Sequence, residues 1–220
     1  MAAIRAPRAR TPGRPVTGGA DVRERLLDAA LACFVRDGIA ATSLRRIAIE
    51  AGVTPAMLHY YFGDKEQLLT ELAQERIAPA VTRVRESLLA AGDDIHALVV
   101  AFVRGMMRSI EASPWLPALW VREVLAEGGG LRDHLVNVIG PQVPRMLAER
   151  FAAARRRGHI PRDVDPALLV TSLVGMTMFP AAGAPVWMRM FPGKTMSPRA
   201  IERHAIAMLE HGLGLEGPAK

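Results

Sequence analysis

Between Ser43 and Phe62 two short runs of apolar residues recur at helical spacing on either side of a tight turn. The first, predicted from Leu44 to Ala51, turns Leu44, Ile47 and Ala48 inward. Thr42 or Ser43 can cap it, and Gly52 closes it. The second begins after Thr54 with Pro55 at its first position, where a missing N–H costs nothing, and stops near Phe62-Gly63. Val53, Leu58 and Phe62 point into the same core and lock the angle between the two helices. A preceding helix from Asp21 carries Val22, Leu26, Ala29, Ala30, Cys33 and Phe34 and ends at Gly38. A following helix starts at Asp64, which has capping-box spacing to Gln67, and carries Leu68, Leu69, Leu72 and Ile77 toward Ala90.

The outer face of the second short helix is small and uncharged: Thr54, Ala56, Met57, His59 and Tyr60. Such a helix fits a major groove about 12 Å wide with its N-terminal side chains on base edges. Arg45, Arg46 and Lys65 flank it and can meet phosphates. The helix N-termini after Ser43 and Asp64 offer free N–H groups for the same purpose. Ala56 and Met57 either touch thymine methyls or only pack. Tyr60 and Tyr61 either reach the DNA backbone or cover the core edge.

The charge points the same way. The net charge is +6, and Arg5, Arg8, Arg10 and Arg14 precede the first acidic residue, Asp21. Residues 1–20 read as a disordered basic arm, either a solubility tail or a minor-groove contact. Hydrophobic residues make up 50% and aromatics only 5%, which favours helices packed on helices. The single cysteine, Cys33, excludes an internal disulfide and reads as a small buried hydrophobe. No secretory leader is visible, so a cytoplasmic protein is expected. No membrane partner is expected either: the uncharged run from Pro166 to Met188 is interrupted by Pro180, Gly183 and Pro185, and reads as a buried helix to Phe179 followed by a loop.

The remaining chain reads as further helices. Asp93 or Asp94 opens one to Ile110, Ser113-Pro114 one to Ala126, and Gly128-Gly129-Gly130 is a flexible break. A helix interrupted near Gly140-Pro141 and Pro144 runs to Arg157, and Ser197-Pro198 opens the last. Met and aromatic residues can line an adaptable pocket, and Phe102, Met106, Trp115, Trp120, His134 and Met176 are the candidates, with ordinary core as the alternative. Leu169 and Leu173, with Ile201, Ala205, Met208 and Leu209, are the candidate dimer interface. No glycine-rich phosphate loop, metal-ligand spacing or nucleophile triad is present, so no catalytic residue, metal or cofactor is expected. A DNA-binding protein without a ligand, or a small helical enzyme, is the rival reading.

The run from Ala41 through Leu68, including Thr54-Pro55-Ala56-Met57-Leu58-His59-Tyr60-Tyr61-Phe62-Gly63-Asp64-Lys65, resembles the N-terminal domain of tetracycline-repressor (TetR) family regulators, as does Arg25-Leu26-Leu27-Asp28-Ala29-Ala30 before it. The resemblance covers about residues 21–70. It implies an all-α homodimer: a three-helix helix-turn-helix head over 21–80 and a C-terminal ligand-binding and dimerisation domain over 81–220. It implies a repressor of double-stranded operator DNA released by a small-molecule effector. By matching positions it names Thr42, Ser43, Arg45, Thr54, Ala56, His59, Tyr60, Tyr61 and Lys65 as DNA contacts, and Arg46 and Pro55 beside them complete the candidate DNA-binding set. Here His59-Tyr60-Tyr61 replaces the family's usual order of aromatics and histidine.

Overall fold

The computed structural model describes residues 19–139 and 141–215, and the described residues are helical and without strands. The expected basic arm lies almost wholly outside them. Helix α1 spans Gly19–Asp37, α2 Leu44–Glu50 and α3 Pro55–Phe62. Each short helix is closed by local chemistry. Ser43 Oγ accepts from Arg46 N at 3.2 Å, and Thr54 Oγ1 accepts from Met57 N at 3.3 Å. Asp64 Oδ1 accepts from Gln67 N at 2.8 Å, but the return half of the capping box is missing, because Gln67 Nε2 donates to Glu71 instead.

Helix α4 (Lys65–Leu72) passes through one π turn at Ala73–Ile77 into α5 (Ala78–Ala90). This rod begins in the head, where Leu68, Leu69 and Leu72 are buried, and ends in the body, where Ala80, Val84 and Leu88 are buried. Asp94 caps α6 (Ile95–Ala112), which is buried along most of its length, from Ile95 through Leu98, Phe102 and Met107 to Ile110. Helix α7 (Leu116–Trp120) continues into a π turn at Val121–Leu125. A short α8 (Arg132–His134) leads into another at Leu135–Ile139, and α9 spans Gln142–Arg156. Ser113 does not cap α7; it is buried, and the helix starts three residues later.

The expected end of the uncharged helix at Phe179 is corrected. Capped by Asp165, α10 runs Pro166–Met190 through Pro180 and Pro185. Each proline removes one backbone bond, yet its φ suits a helix. The Phe179 and Trp187 rings lie 5.8 Å apart and span both prolines, which holds those turns together. By length and mean hydropathy (1.6) α10 could cross a membrane. Its inward face, however, is built into the core through Leu169, Val170, Leu173, Thr177 and Met178. Helix α11 (Pro198–Leu213), capped by Ser197, packs on α6 and α10.

The stripe expected at a dimer interface is corrected too. Leu169, Leu173, Ile201, Ala205 and Leu209 are buried within their own subunit, and only Met208 of that set is exposed. A side chain packed in its own core cannot also face a partner. The outward face of α10 carries Leu168, Thr171, Ser172, Gly175 and Phe179, and that of α11 carries His204, Ala207, Met208 and His211.

The head has no separate core. Its buried residues Leu26, Leu27, Phe34, Ile47, Leu58, Phe62 and Leu72 form one apolar cluster with Met107, Leu116, Leu119, Leu131 and Met178. A second cluster fills the far end, around Leu98, Phe102, Leu147, Phe151 and Leu173.

Candidate nucleic-acid interface and apolar cavity

The outer surface of α2 and α3 is where the sequence puts its DNA contacts. Ser43, Arg45, Arg46, Thr54, Pro55, Ala56, His59 and Tyr60 are all exposed there. Tyr60 is 84% exposed, far more than a tyrosine needs merely to cover a core. Tyr61 is half-buried against the head core and meets Tyr60 edge to face at 5.3 Å. His59 Nδ1 lies 2.6 Å from the Gly63 carbonyl, which ties the end of α3 to its closing turn. Arg46 is paired with Asp37 at 3.1 Å across the α1–α2 seam, beside the Arg36–Glu50 pair at 3.1 Å.

Two candidates turn inward. Thr42 is 1% exposed, and its hydroxyl donates to the Gly38 carbonyl at 2.7 Å. It holds the α1–α2 turn and cannot reach DNA. Lys65 is half-buried, and its ammonium donates to the Ile39 carbonyl from the other side of the same turn. The sequence signal was misleading for both: each lies beside an exposed cap, and only the fold shows that the turn wraps around them.

The head is braced against the rod. The Arg23 guanidinium donates to Glu75 at 2.9 Å and to Glu71, and it lies over the Phe62 ring, 5.5 Å from its centroid. The bond from Arg23 holds the Glu75 carboxyl below the usual carboxylate range. Arg76 reaches back to Glu24 at 2.7 Å and Asp28 at 2.9 Å. Burial pushes the Cys33 thiol up, so it stays protonated and inert. Among the described residues no cluster of three His, Cys, Asp or Glu side chains is placed to hold a metal ion.

A cavity of about 150 Å³ lies where the rod, α6, α7, α8, α9 and α10 converge. Of the candidate pocket residues, Phe102, Met106, Trp120 and His134 line it. Trp115 and Met176 do not: Trp115 packs on the head-side core and Met176 on the far cluster. Met178, two residues along α10 and so on another face, lines it instead, with Ile77, Ala80, Val81 and Val84 from the rod. Its wall is almost wholly apolar. Ser109 Oγ already donates to the Ala80 carbonyl at 3.1 Å. His134 Nε2 faces Thr70 Oγ1 at 3.1 Å. Among the described residues no Lys or Arg lines it.

Residues 26–72 match the family described as bacterial regulatory proteins, tetR family. The HTH-type transcriptional repressor KstR2 of Rhodococcus jostii RHA1 is 31% identical over 157 residues, spanning 71% of this chain and 76% of that protein. Among solved structures, the ketosteroid transcriptional regulator KstR2 of Mycobacterium tuberculosis aligns with a TM-score of 0.67 at 20% identity, covering 87% of this chain and 94% of the other. The complex of SmeT with triclosan aligns with a TM-score of 0.61 at 19% identity, covering 91% and 96%; SmeT is the repressor of the Stenotrophomonas maltophilia multidrug efflux pump SmeDEF. With a capped helix-turn-helix, an all-helical body and these likenesses, the chain belongs to the tetR family of bacterial regulatory proteins and is a transcription regulator, not an enzyme.

Proposed function

We propose that the protein is a homodimeric repressor that leaves its operator when an uncharged, apolar effector fills the cavity. The observation that carries this reading is the rod 65–90. Its first half is built into the DNA-binding head, and its second half supplies Ala80, Val81 and Val84 to the cavity wall. A molecule in the cavity therefore presses on the same helix that orients α3.

In this reading residues 21–80 form the DNA-binding unit and 81–220 the effector and dimer unit. Thr54, Pro55, Ala56, His59 and Tyr60 enter the major groove, and Ser43, Arg45, Arg46 and Tyr61 meet the backbone. Two copies pair through the outward faces of α10 and α11. Their α3 helices then reach successive major grooves about 34–36 Å apart. A coupling of about 1–3 kcal/mol between cavity and head changes DNA affinity several-fold to a hundred-fold. The cavity wall is almost wholly apolar, with His134 its one titratable side chain among the described residues, which supports an uncharged effector. A cytoplasmic location follows from the same role.

The test is selection of bound genomic fragments by the purified protein, then titration of the best fragment and of a scrambled version. One two-fold symmetric site bound by a dimer, with affinity falling steeply as salt rises, is the expected result. Binding indifferent to sequence overturns the reading.

A further inference from the structure

Glu123 is the charged residue that the described fold buries, 4% exposed in the π turn Val121–Leu125. Both of its oxygens are used. Oε1 accepts the backbone N–H of Ile39 at 3.1 Å, and Oε2 accepts that of Gly130 at 3.1 Å. The first bond crosses from the body to the α1–α2 turn, 84 residues away in sequence. Beside it, Arg122 Nη1 donates to the Val35 carbonyl at 3.0 Å in the last turn of α1.

The glycines around this carboxylate leave no slack. Gly38 sits at φ +88°, and a Cβ there would lie 3.3 Å from Glu123 Oε1. A Cβ on Gly130 would lie 2.8 Å from Ile39 Cγ2, and one on Gly129 would lie 2.4 Å from the Glu123 carbonyl oxygen. Within the run 128–130, expected to be a flexible break, Gly129 is fitted against the Glu123 backbone and Gly130 against Ile39 of the head turn, while Gly128 stands in open space. The cavity lies on the other side of the same segment, where Trp120, Val124 and Leu131 form part of its wall.

We infer that Glu123 is the positioning residue that ties the head to the cavity wall. The segment 120–131 carries cavity-facing side chains on one side and the Glu123 clasp on the other. A displacement of the wall is therefore delivered to Ile39, and through the turn to Ser43 and α2. Glu123 touches neither DNA nor the cavity interior. The inference rests on the effector reading in one respect: an occupant of the cavity is what displaces the wall.

The test is a double-mutant cycle in the full chain. Val124→Ala alters the cavity side and E123Q opens the clasp, because Gln has one acceptor oxygen for two N–H donors. Gly130→Ala opens the clasp from the loop side, should E123Q fail to fold. Operator affinity, amide exchange at Ile39, and binding of the uncharged dye N-phenyl-1-naphthylamine are measured in each variant. We expect V124A to change operator affinity about three-fold or more in the parent, and not measurably once the clasp is open. Exchange at Ile39 rises about ten-fold or more in E123Q, while dye affinity is unchanged. A V124A effect that is equal in both backgrounds, zero included, overturns the clasp, as does unchanged exchange at Ile39. A coupled cycle in a protein that binds no dye keeps the clasp and removes the effector reading. Dye binding with an additive cycle does the reverse.

Discussion

His134 Nε2 lies 3.1 Å from Thr70 Oγ1, joining the cavity wall to the first helix of the rod across 64 residues of sequence. The Thr70 hydroxyl also donates to the Glu66 carbonyl at 2.9 Å. The hydroxyl thus bridges the Glu66 carbonyl and the His134 ring. Thr70→Val keeps the shape and removes the hydroxyl. It should lower stability by about 0.5–1.5 kcal/mol and Tm by about 1–6 °C, with Thr70→Ser close to the parent. Calorimetry decides it; a T70V protein that melts with the parent shows that the bond contributes nothing.

Exposed and buried candidates in the head should separate cleanly. Tyr60→Ala should leave the melting temperature unchanged and weaken operator binding about ten-fold or more. Arg45→Ala should weaken binding and lower the salt slope by about one. Thr42→Val should instead destabilise the fold by about 1–3 kcal/mol, because the Gly38 carbonyl loses its partner. A T42V protein as stable as the parent but defective on DNA would return Thr42 to the interface.

The apolar wall should discriminate by charge. Decanol should displace N-phenyl-1-naphthylamine from the cavity at concentrations about ten-fold or more below those needed by decanoate, since a carboxylate loses its hydration against an almost wholly apolar wall. Equal competition by the two would show that the dye sits elsewhere.

The two faces of α10 should behave oppositely. Leu168→Glu with Met208→Glu should give a folded monomer by analytical ultracentrifugation, because both side chains point outward. Leu173→Ala, fully buried, should cost about 2–5 kcal/mol of stability and leave the dimer of the folded fraction intact. A double variant that remains dimeric would exclude these faces from the interface.

The Arg23–Glu75 pair sets an acid limit. The folded Glu75 carboxyl titrates below its unfolded value. Its contribution is therefore present above the ordinary carboxylate value of about 4.3 and is lost as pH falls through the lower folded value. The pair is partly exposed, so its worth is about 0.2–1 kcal/mol. Glu75→Gln should lower stability to urea at pH 7 by that amount and narrow the difference from the parent near pH 3. An equal deficit at both pH values would rule out the ion pair as the cause.

What the amino-acid order determined by itself is local. Ser43, Thr54, Asp64, Asp94, Asp165 and Ser197 each cap the helix that follows, and each acts on an N–H two or three residues away. The apolar spacing likewise determined that α2 and α3 share a core through Ile47, Leu58 and Phe62. The tertiary structure alone decided what covers each face. Periodicity marks Leu173 and Ala205 as an apolar stripe but cannot say whether their own subunit or a partner buries them. Nor can it say that Lys65 and Thr42 turn into one loop, or that Met178 rather than Met176 meets the cavity. The same holds for Gly128-Gly129-Gly130. Three glycines in sequence mean only freedom of the chain; beside Ile39, brought there from a distant segment, Gly130 becomes a close-fitted contact with the head. Capping is settled over one turn of helix, whereas burial and partnership depend on contacts that no single stretch of sequence contains.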